Sequence, residues 1–157
     1  MTASSIDERL KALSITLPSP AAPAANYVPF VISGNQLIIS GQLPTENGVM
    51  VASGRLGDTV SLEDGQRAAR ASAINLMAQA NAALGGDLSR VVRVLKLNGF
   101  VASTPDFTDQ HLVINAASNL FGDVFGDAGK HARAAVGMAS LPLNAAVEID
   151  AVLEISL

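Results

Sequence analysis

Apolar residues recur at helical spacing in two segments of the chain, and this pattern predicts two long helices. Ser61 is a suitable N-cap for the first helix, acidic residues stand in its first turn, and the pattern runs to the Gly85-Gly86 pair. Its apolar positions are Ala69, Ala73, Met77, Ala80 and Leu84. The second helix is predicted to begin at Thr104, with Pro105 in its first helical position. Its buried stripe is predicted to comprise Val113, Ala117, Leu120 and Val124.

Shorter apolar or alternating runs predict strands before, between and after these helices. The predicted strands cover residues 27–33, 36–40, 49–52, 91–100, 133–140 and 145–155. Gly34 and Asn35 join the first two in a tight hairpin, because both residue types tolerate positive φ. A short helix at residues 6–13, capped by Ser4 or Ser5, precedes them. The order of elements predicts an α+β fold in which two long helices cover one face of a mixed sheet.

The length of 157 residues favours a single domain, residues 1–157, with residues 1–26 forming the short helix and a Pro/Ala-rich extension. Hydrophobic residues make up 49% of the chain but aromatic residues only 4%. The core must therefore be built mainly from closely packed aliphatic side chains.

Charge balance and cysteine content exclude several kinds of partner and chemistry. Ten basic residues stand against fourteen acidic ones, so nucleic acid is not the expected partner. The chain has no cysteine and only two histidines, which argues against thiolate chemistry, disulfides and a dedicated metal site. Prolines interrupt the uncharged residues 12–45, and charges in residues 1–13 disrupt any export signal. We therefore expect no membrane contact and a cytoplasmic location.

Residues 131–150 place one arginine and one glutamate in an otherwise apolar strand-turn-strand pattern. The guanidinium of Arg133 on a half-buried sheet costs free energy unless it is paired or binds an anionic ligand. A structural ion pair is the alternative to ligand binding. Glu148 lies between two apolar neighbours, so its side chain is predicted to point to the opposite face of the strand. A solvated acidic strand, shared with Asp150 and Glu154, is the alternative there.

Several short motifs together resemble the Rid family, the reactive intermediate deaminases that are also called the endoribonuclease L-PSP family. The motifs are Ala132-Arg133 before a short apolar strand, Leu141-Pro142, Val147-Glu148-Ile149, the SGQLP turn at Ser40–Pro44, Tyr27 upstream of that turn, and Asn115 in the second long helix. The resemblance covers residues 27–157.

This resemblance implies a chorismate-mutase-like mixed sheet, a homotrimer, and clefts between neighbouring subunits. In such clefts Arg133 would hold the carboxylate of a small 2-imino or enamine acid, and Glu148 would position or activate a water. Hydrolysis would give a 2-keto acid and ammonia, with no cofactor. A non-catalytic trimer that binds small carboxylates is the alternative, and an endoribonuclease is the less favoured third hypothesis because of the acidic charge balance.

The remaining candidate residues have a structural and a functional interpretation each. Tyr27 would orient a ligand or pack at the edge of the core. Asn115 would lie near the ligand or bond to backbone at a subunit boundary. Gly41 would supply a positive-φ turn, which we favour, or let a ligand approach the backbone.

The chain also departs from the family pattern. Ala135 replaces a cysteine, and His131 replaces a proline beside Arg133. His131 would either contribute a titratable group near the site or lie in a surface loop. The N-terminal forty residues and the loop 46–59 are longer than in the best-known branch, so the resemblance does not define the substrate.

Overall fold

The computed structural model of the protein describes residues 2–157, and its centre is a five-stranded mixed sheet with two long helices on one face. The strands are β1 (Phe30–Ser33), β2 (Gln36–Gln42), β3 (Thr45–Glu46), β4 (Val49–Met50), β5 (Val91–Ala102), β6 (Ala132–Met138) and β7 (Val147–Ile155). The helices are α1 (Ala3–Ala12), α2 (Leu62–Ala83) and α3 (Gln110–Phe125), with short 3₁₀ turns at Leu88–Arg90, Gly126–Gly129 and Pro142–Asn144. The predicted α+β class is confirmed.

The sheet has the strand order β1-β2-β7-β5-β6, while β3 and β4 form a separate hairpin. All neighbouring strands run antiparallel except β5 and β6, which are parallel. A parallel pair needs a crossover connection, and α3 supplies it. This connection places α3 directly beside the edge strand β6.

Helix α2 forms as its sequence predicts. The Ser61 hydroxyl accepts a hydrogen bond from the backbone N–H of Asp64 at 3.1 Å, which satisfies one of the free donors of the first turn. Alanines on its buried face, Ala68, Ala69 and Ala73, are fully buried. Their small side chains let the helix lie close to the sheet and to α3.

The predicted start of the second long helix is wrong: α3 begins at Gln110, not near Thr104. The backbone N–H of Thr104 is bonded to the carbonyl of Leu56 at 3.0 Å, so this part of the chain still pairs with a neighbouring segment. A turn closed from Phe107 N–H to the Thr104 carbonyl at 3.2 Å then separates strand from helix. The cap of α1 also differs from the prediction, because Thr2 accepts the hydrogen bond from the N–H of Ser5.

The helices cover one face of the sheet, and we call the other the open face. Strand alternation and register place on it Val31, Ile38, Asn98, Phe100, Val136, Glu148, Asp150 and Val152. Val31 and Val136 on the two edge strands and Ile38 on β2 are 46%, 42% and 39% exposed, so aliphatic side chains on this face meet solvent in a single chain. A single chain therefore leaves an apolar sheet surface uncovered.

In the described part of the chain, no helix has both the length and the apolar character needed to cross a bilayer.

Candidate functional site

The guanidinium of Arg133 lies between strand β6 and helix α3 and is held by neutral groups. Its Nη1 donates to Asn115 Oδ1 at 2.8 Å and to Ser118 Oγ at 3.2 Å, and its Nη2 donates to the backbone carbonyl of His111 at 3.4 Å. None of the ion pairs found within residues 2–157 includes Arg133. The structural ion pair that the sequence left open is therefore not formed in this part of the chain.

The hydrogen bonds leave a defined part of the guanidinium available. Arginine has five N–H donors, and three of those of Arg133 are used by the acceptors on α3. The remaining two are Nε–H and one N–H of Nη2, and the nitrogens Nε and Nη2 lie on one edge of the planar group. Two parallel donors on one edge match the two oxygens of a carboxylate.

The three acceptors come from one face of α3, because residues 111, 115 and 118 are spaced by four and three positions. Arg133 stands in register with Leu97 of β5, which is fully buried under the helices, so both side chains lie on the helix-covered face of the sheet. The crossover topology of α3 thus brings its polar face to this arginine.

A further polar layer lies behind Ser118. Its Oγ is 2.9 Å from Nε2 of His131, and Nδ1 of the same ring is 2.6 Å from the carbonyl oxygen of Gly129. The ring edge packs against Phe121, with 6.3 Å between ring centroids. His131 directly precedes β6, is half-buried, and is joined to the arginine through the Ser118 hydroxyl, so its ring lies near the site as one of the two interpretations expected. Ser118 was not predicted as a site residue, although its spacing of three from Asn115 was a usable signal.

Glu148 lies elsewhere, on the open face of β7. Burial of its carboxyl raises the pKa above the ordinary value, and the negative charge of nearby Asp150 raises it further. Asp150 itself accepts a hydrogen bond from the Asn98 side chain at 2.7 Å. The predicted orientation of Glu148, opposite to its apolar neighbours Val147 and Ile149, is found, and its side chain is only partly solvated.

Gly41 faces the Glu148 carboxylate, and the favoured explanation for this glycine is wrong. Gly41 has no positive φ. A Cβ at this position would instead collide with Oε1 of Glu148 and lie 2.9 Å from its Cδ. The glycine sits where β2 gains one residue relative to β7, between Ile39 and Gln42. Such bulges re-aim backbone groups and are common beside functional sites.

Tyr27 was predicted to begin the first strand, but β1 begins only at Phe30, so Tyr27 precedes it and that part of the prediction is wrong. The neighbouring chain is tied to β2, because Ser40 Oγ donates to the Val28 carbonyl at 2.8 Å and the Ser40 N–H bonds to the carbonyl of Pro29 at 2.9 Å. Tyr27 is 48% exposed, so it is not a core-edge residue in a single chain. It leads into the segment that flanks Gly41.

The candidate residues thus fall into two groups. The first, which we call the Arg half-site, contains Arg133, Asn115 and Ser118 on the helix-covered side of β6. The second, the Glu half-site, contains Glu148 and Gly41, with Tyr27 in the adjoining segment. Strand β5 separates β6 from β7 and the two groups use opposite faces of the sheet, so one chain does not bring them together.

Ala135, at the position of the family's cysteine, shares the helix-covered face with Arg133 and stands in register with Gly99. It packs against the hydrophobic core. Within residues 2–157 no three acidic, histidine or cysteine side chains come together in a way that would hold a metal ion.

Comparison with known proteins agrees with the motifs. A family model described as "YjgF/chorismate_mutase-like, putative endoribonuclease" matches residues 7–155. The chain therefore belongs to this family, which is the Rid or L-PSP family that its motifs resemble.

Individual relatives support the same assignment. Protein TCP17 of Trypanosoma cruzi is 53% identical over 148 residues, covering 94% of this chain and 92% of that protein. The crystal structure of Atu1372, a protein of unknown function from Agrobacterium tumefaciens, is 58% identical with a TM-score of 0.92, covering 98% of this chain and 94% of the other. The crystal structure of TdcF from E. coli with bound serine is 25% identical with a TM-score of 0.65, covering 88% and 94%.

Proposed function

We propose that this protein is a hydrolytic deaminase of small 2-imino or enamine acids, releasing a 2-keto acid and ammonia in the cytoplasm. The observation that carries the proposal is the uncompensated guanidinium of Arg133, which is fixed by neutral acceptors and keeps two parallel donors for a carboxylate. The related TdcF structure with bound serine supports a carboxylate-bearing ligand, since serine is an amino acid.

We further propose that the working cleft forms between copies of the chain in a homotrimer. The Arg half-site of one copy would face the Glu half-site of its neighbour, because the two groups lie on opposite faces of the same sheet. The exposed aliphatic side chains of the open face supply apolar area for such an assembly.

In the proposed reaction the substrate carboxylate binds Arg133, and water adds to the carbon of the C=N bond. The Glu148 carboxylate accepts a proton from that water as the C–O bond forms and passes it to the nitrogen, which gives a neutral tetrahedral adduct. Glu148 then accepts the hydroxyl proton as the carbonyl forms and delivers it to the leaving nitrogen, so that the C–N bond breaks and ammonia departs. Because burial raises its pKa, the Glu148 carboxylate is a stronger base than an exposed glutamate, which suits it to these proton transfers.

An assay with substrate generated in place tests this proposal. A dehydratase supplies 2-aminoacrylate or 2-iminobutanoate, and keto acid release is followed without protein, with the wild type, and with Arg133→Ala. We expect the wild type to accelerate keto acid release over the rate without protein, and Arg133→Ala to lose most of this acceleration. Arg55→Ala is the matched control, because Arg55 is an exposed arginine that pairs with Asp58. Equal rates for wild type, Arg133→Ala and buffer would overturn the proposal for these substrates.

A non-catalytic carboxylate binder is the second candidate, and one observation favours it. The Arg half-site is assembled within one chain and needs no contribution from Glu148 to bind an anion. Calorimetry with a panel of 2-keto acids separates the two candidates. Tight binding without turnover of any imine favours the binder, whereas weak binding with turnover favours the enzyme. The net charge of −4 makes an endoribonuclease the least favoured function.

A further inference from the structure

We infer that Ser118 and His131 are positioning residues that fix the Arg133 guanidinium in its carboxylate-binding orientation. This inference rests on the proposed role of Arg133 and adds two residues to the site that neither the family motifs nor the proposed reaction include. It follows from the direction in which each hydrogen bond must run.

The chain of hydrogen bonds begins at a backbone carbonyl. The oxygen of Gly129 only accepts, so Nδ1 of His131, 2.6 Å away, must carry a hydrogen. In the neutral ring Nε2 then has a lone pair and accepts from the Ser118 hydroxyl at 2.9 Å. Each ring nitrogen therefore has a single role.

The same constraint defines what Ser118 offers to the arginine. Its proton is directed at His131, so the side of Oγ that faces Nη1 of Arg133 carries lone pairs. An unrestrained serine hydroxyl rotates among several positions. The histidine removes that freedom, and Ser118 becomes a fixed acceptor 3.2 Å from the guanidinium.

Fixing the arginine has a direct effect on ligand binding. A long arginine side chain loses conformational entropy when it is ordered. Here Asn115 and Ser118 use both hydrogens of Nη1, so the guanidinium is ordered before a ligand arrives and Nε–H remains available. The ordering cost is met during folding rather than during binding.

The contacts of His131 favour positioning over nucleophilic attack by Ser118. A serine and a histidine at 2.9 Å also resemble a nucleophile with its base, but the Ser118 lone pairs already face a cation, which lowers their nucleophilicity. The His131 ring is packed edge-on against Phe121, a residue that is 1% exposed. Lys130 beside it pairs with Asp127 at 2.8 Å.

Nitrogen-15 NMR of the full-length protein tests the hydrogen-bond directions independently of activity. At a pH where the rings are neutral, we expect His131 to show a protonated Nδ1 and an unprotonated Nε2. His111→Asn removes the only other histidine and assigns the signals. We also expect separate, slowly exchanging guanidinium signals for Arg133 in the wild type and their collapse in Ser118→Ala. The opposite tautomer, or identical arginine signals in both proteins, would overturn the inference.

Calorimetry with pyruvate as the probe completes the test. Ser118→Ala is expected to weaken binding about tenfold, whereas Ser118→Thr, which keeps the hydroxyl, restores most of it. In the deaminase assay we expect Ser118→Ala to affect mainly KM rather than kcat. Wild-type affinity in Ser118→Ala would contradict the positioning role. If Arg133→Ala also binds pyruvate like the wild type, the proposed function fails, while the NMR result still decides the positioning of the arginine.

Discussion

Arg133 and Glu148 project from opposite faces of one sheet, on strands β6 and β7 that flank β5. Arg133 is in register with the buried Leu97, whereas Glu148 is in register with Phe100 on the open face. A ligand small enough to be held by the arginine cannot reach the glutamate of the same chain around the sheet edge. Chemistry that needs both groups therefore requires a second copy of the protein.

The shape of the arginine predicts that lysine will not replace it. Arg133→Lys keeps the positive charge but removes the paired donors and the contacts to Asn115 and Ser118. We expect affinity for small carboxylates to fall about 10- to 100-fold, as calorimetry would measure, because charge-assisted hydrogen bonds contribute about 1.5–3 kcal/mol. Arg55→Lys should bind normally, and an unchanged affinity in Arg133→Lys would exclude two-point recognition.

Burial of Glu148 predicts a pH-dependent effect on stability. A carboxyl whose pKa is raised by folding stabilises the native state below its unfolded-state pKa, and this contribution is lost as pH rises through the folded-state pKa. Glu148→Gln removes the ionised form, so we expect it to raise the free energy of unfolding near neutral pH. The difference should vanish below the ordinary glutamate range.

Denaturant unfolding at several pH values and one protein concentration measures this difference. Glu46→Gln, a change of the same chemistry at an exposed hairpin position, provides the comparison. A Glu148→Gln stabilisation that stays constant from acid to neutral pH would contradict a burial effect.

The contact between Gly41 and Glu148 predicts a coupled pair of substitutions. Gly41→Ala forces the carboxylate to move, so we expect a large loss of turnover with little backbone strain. In a Glu148→Ala background the added methyl meets no carboxylate, so any change that Gly41→Ala makes to the free energy of unfolding, measured by denaturant unfolding, should disappear. Gly122→Ala in α3 is the control, because its Cβ would lie in open space and should stabilise the helix by up to about 1 kcal/mol. Additive changes in the free energy of unfolding for Gly41→Ala and Glu148→Ala would show that the two residues are independent.

A second glycine sets the distance between helix and sheet. A Cβ at Gly99 would lie 2.5 Å from Cγ1 of Ile114, a fully buried side chain of α3. We expect Gly99→Ala to destabilise the fold by about 1–3 kcal/mol, measured by denaturant unfolding. Combining it with Ile114→Ala should cost less than the sum of the two single changes. A cost equal to that sum would mean that α3 can move away freely.

The open face predicts sensitivity of the assembly to a buried charge. Val136→Asp places a carboxylate on this face at the edge strand β6, so light scattering should show a smaller species than the trimer that we propose for the wild type. Val49→Asp is the control, because Val49 is 67% exposed on the separate hairpin. An unchanged mass in Val136→Asp would place the subunit contacts elsewhere.

Local signals explain which features the sequence could predict. Ser61 caps its helix through a hydrogen bond three residues away, so α2 was predictable. The start of α3 was not, because Thr104 is held by Leu56, a residue distant along the chain. The role of Gly41 escaped prediction for the same reason: the side chain that excludes a Cβ belongs to Glu148 on a neighbouring strand.

The same distinction, between local signals and contacts made by distant parts of the chain, applies to Arg133. Its isolation in an apolar strand made Arg133 a candidate, but whether a carboxylate would neutralise it depended on tertiary placement. For Ser118 the sequence indicated only a position on the same helix face as Asn115. Its hydrogen bonds to His131 and Arg133 form only when the crossover connection places α3 against β6.

The crossover also gives the two half-sites different folding requirements. Every acceptor of the Arg133 side chain lies within 22 residues of it in the chain, so that cluster closes only a short loop. Gly41 and Glu148 stand more than a hundred positions apart and meet only after the two ends of the chain pair. If the two residues act as proposed, partial unfolding from the termini would separate Glu148 from Gly41 while the contacts of Arg133 stayed intact, leaving a species that captures anions without transforming them.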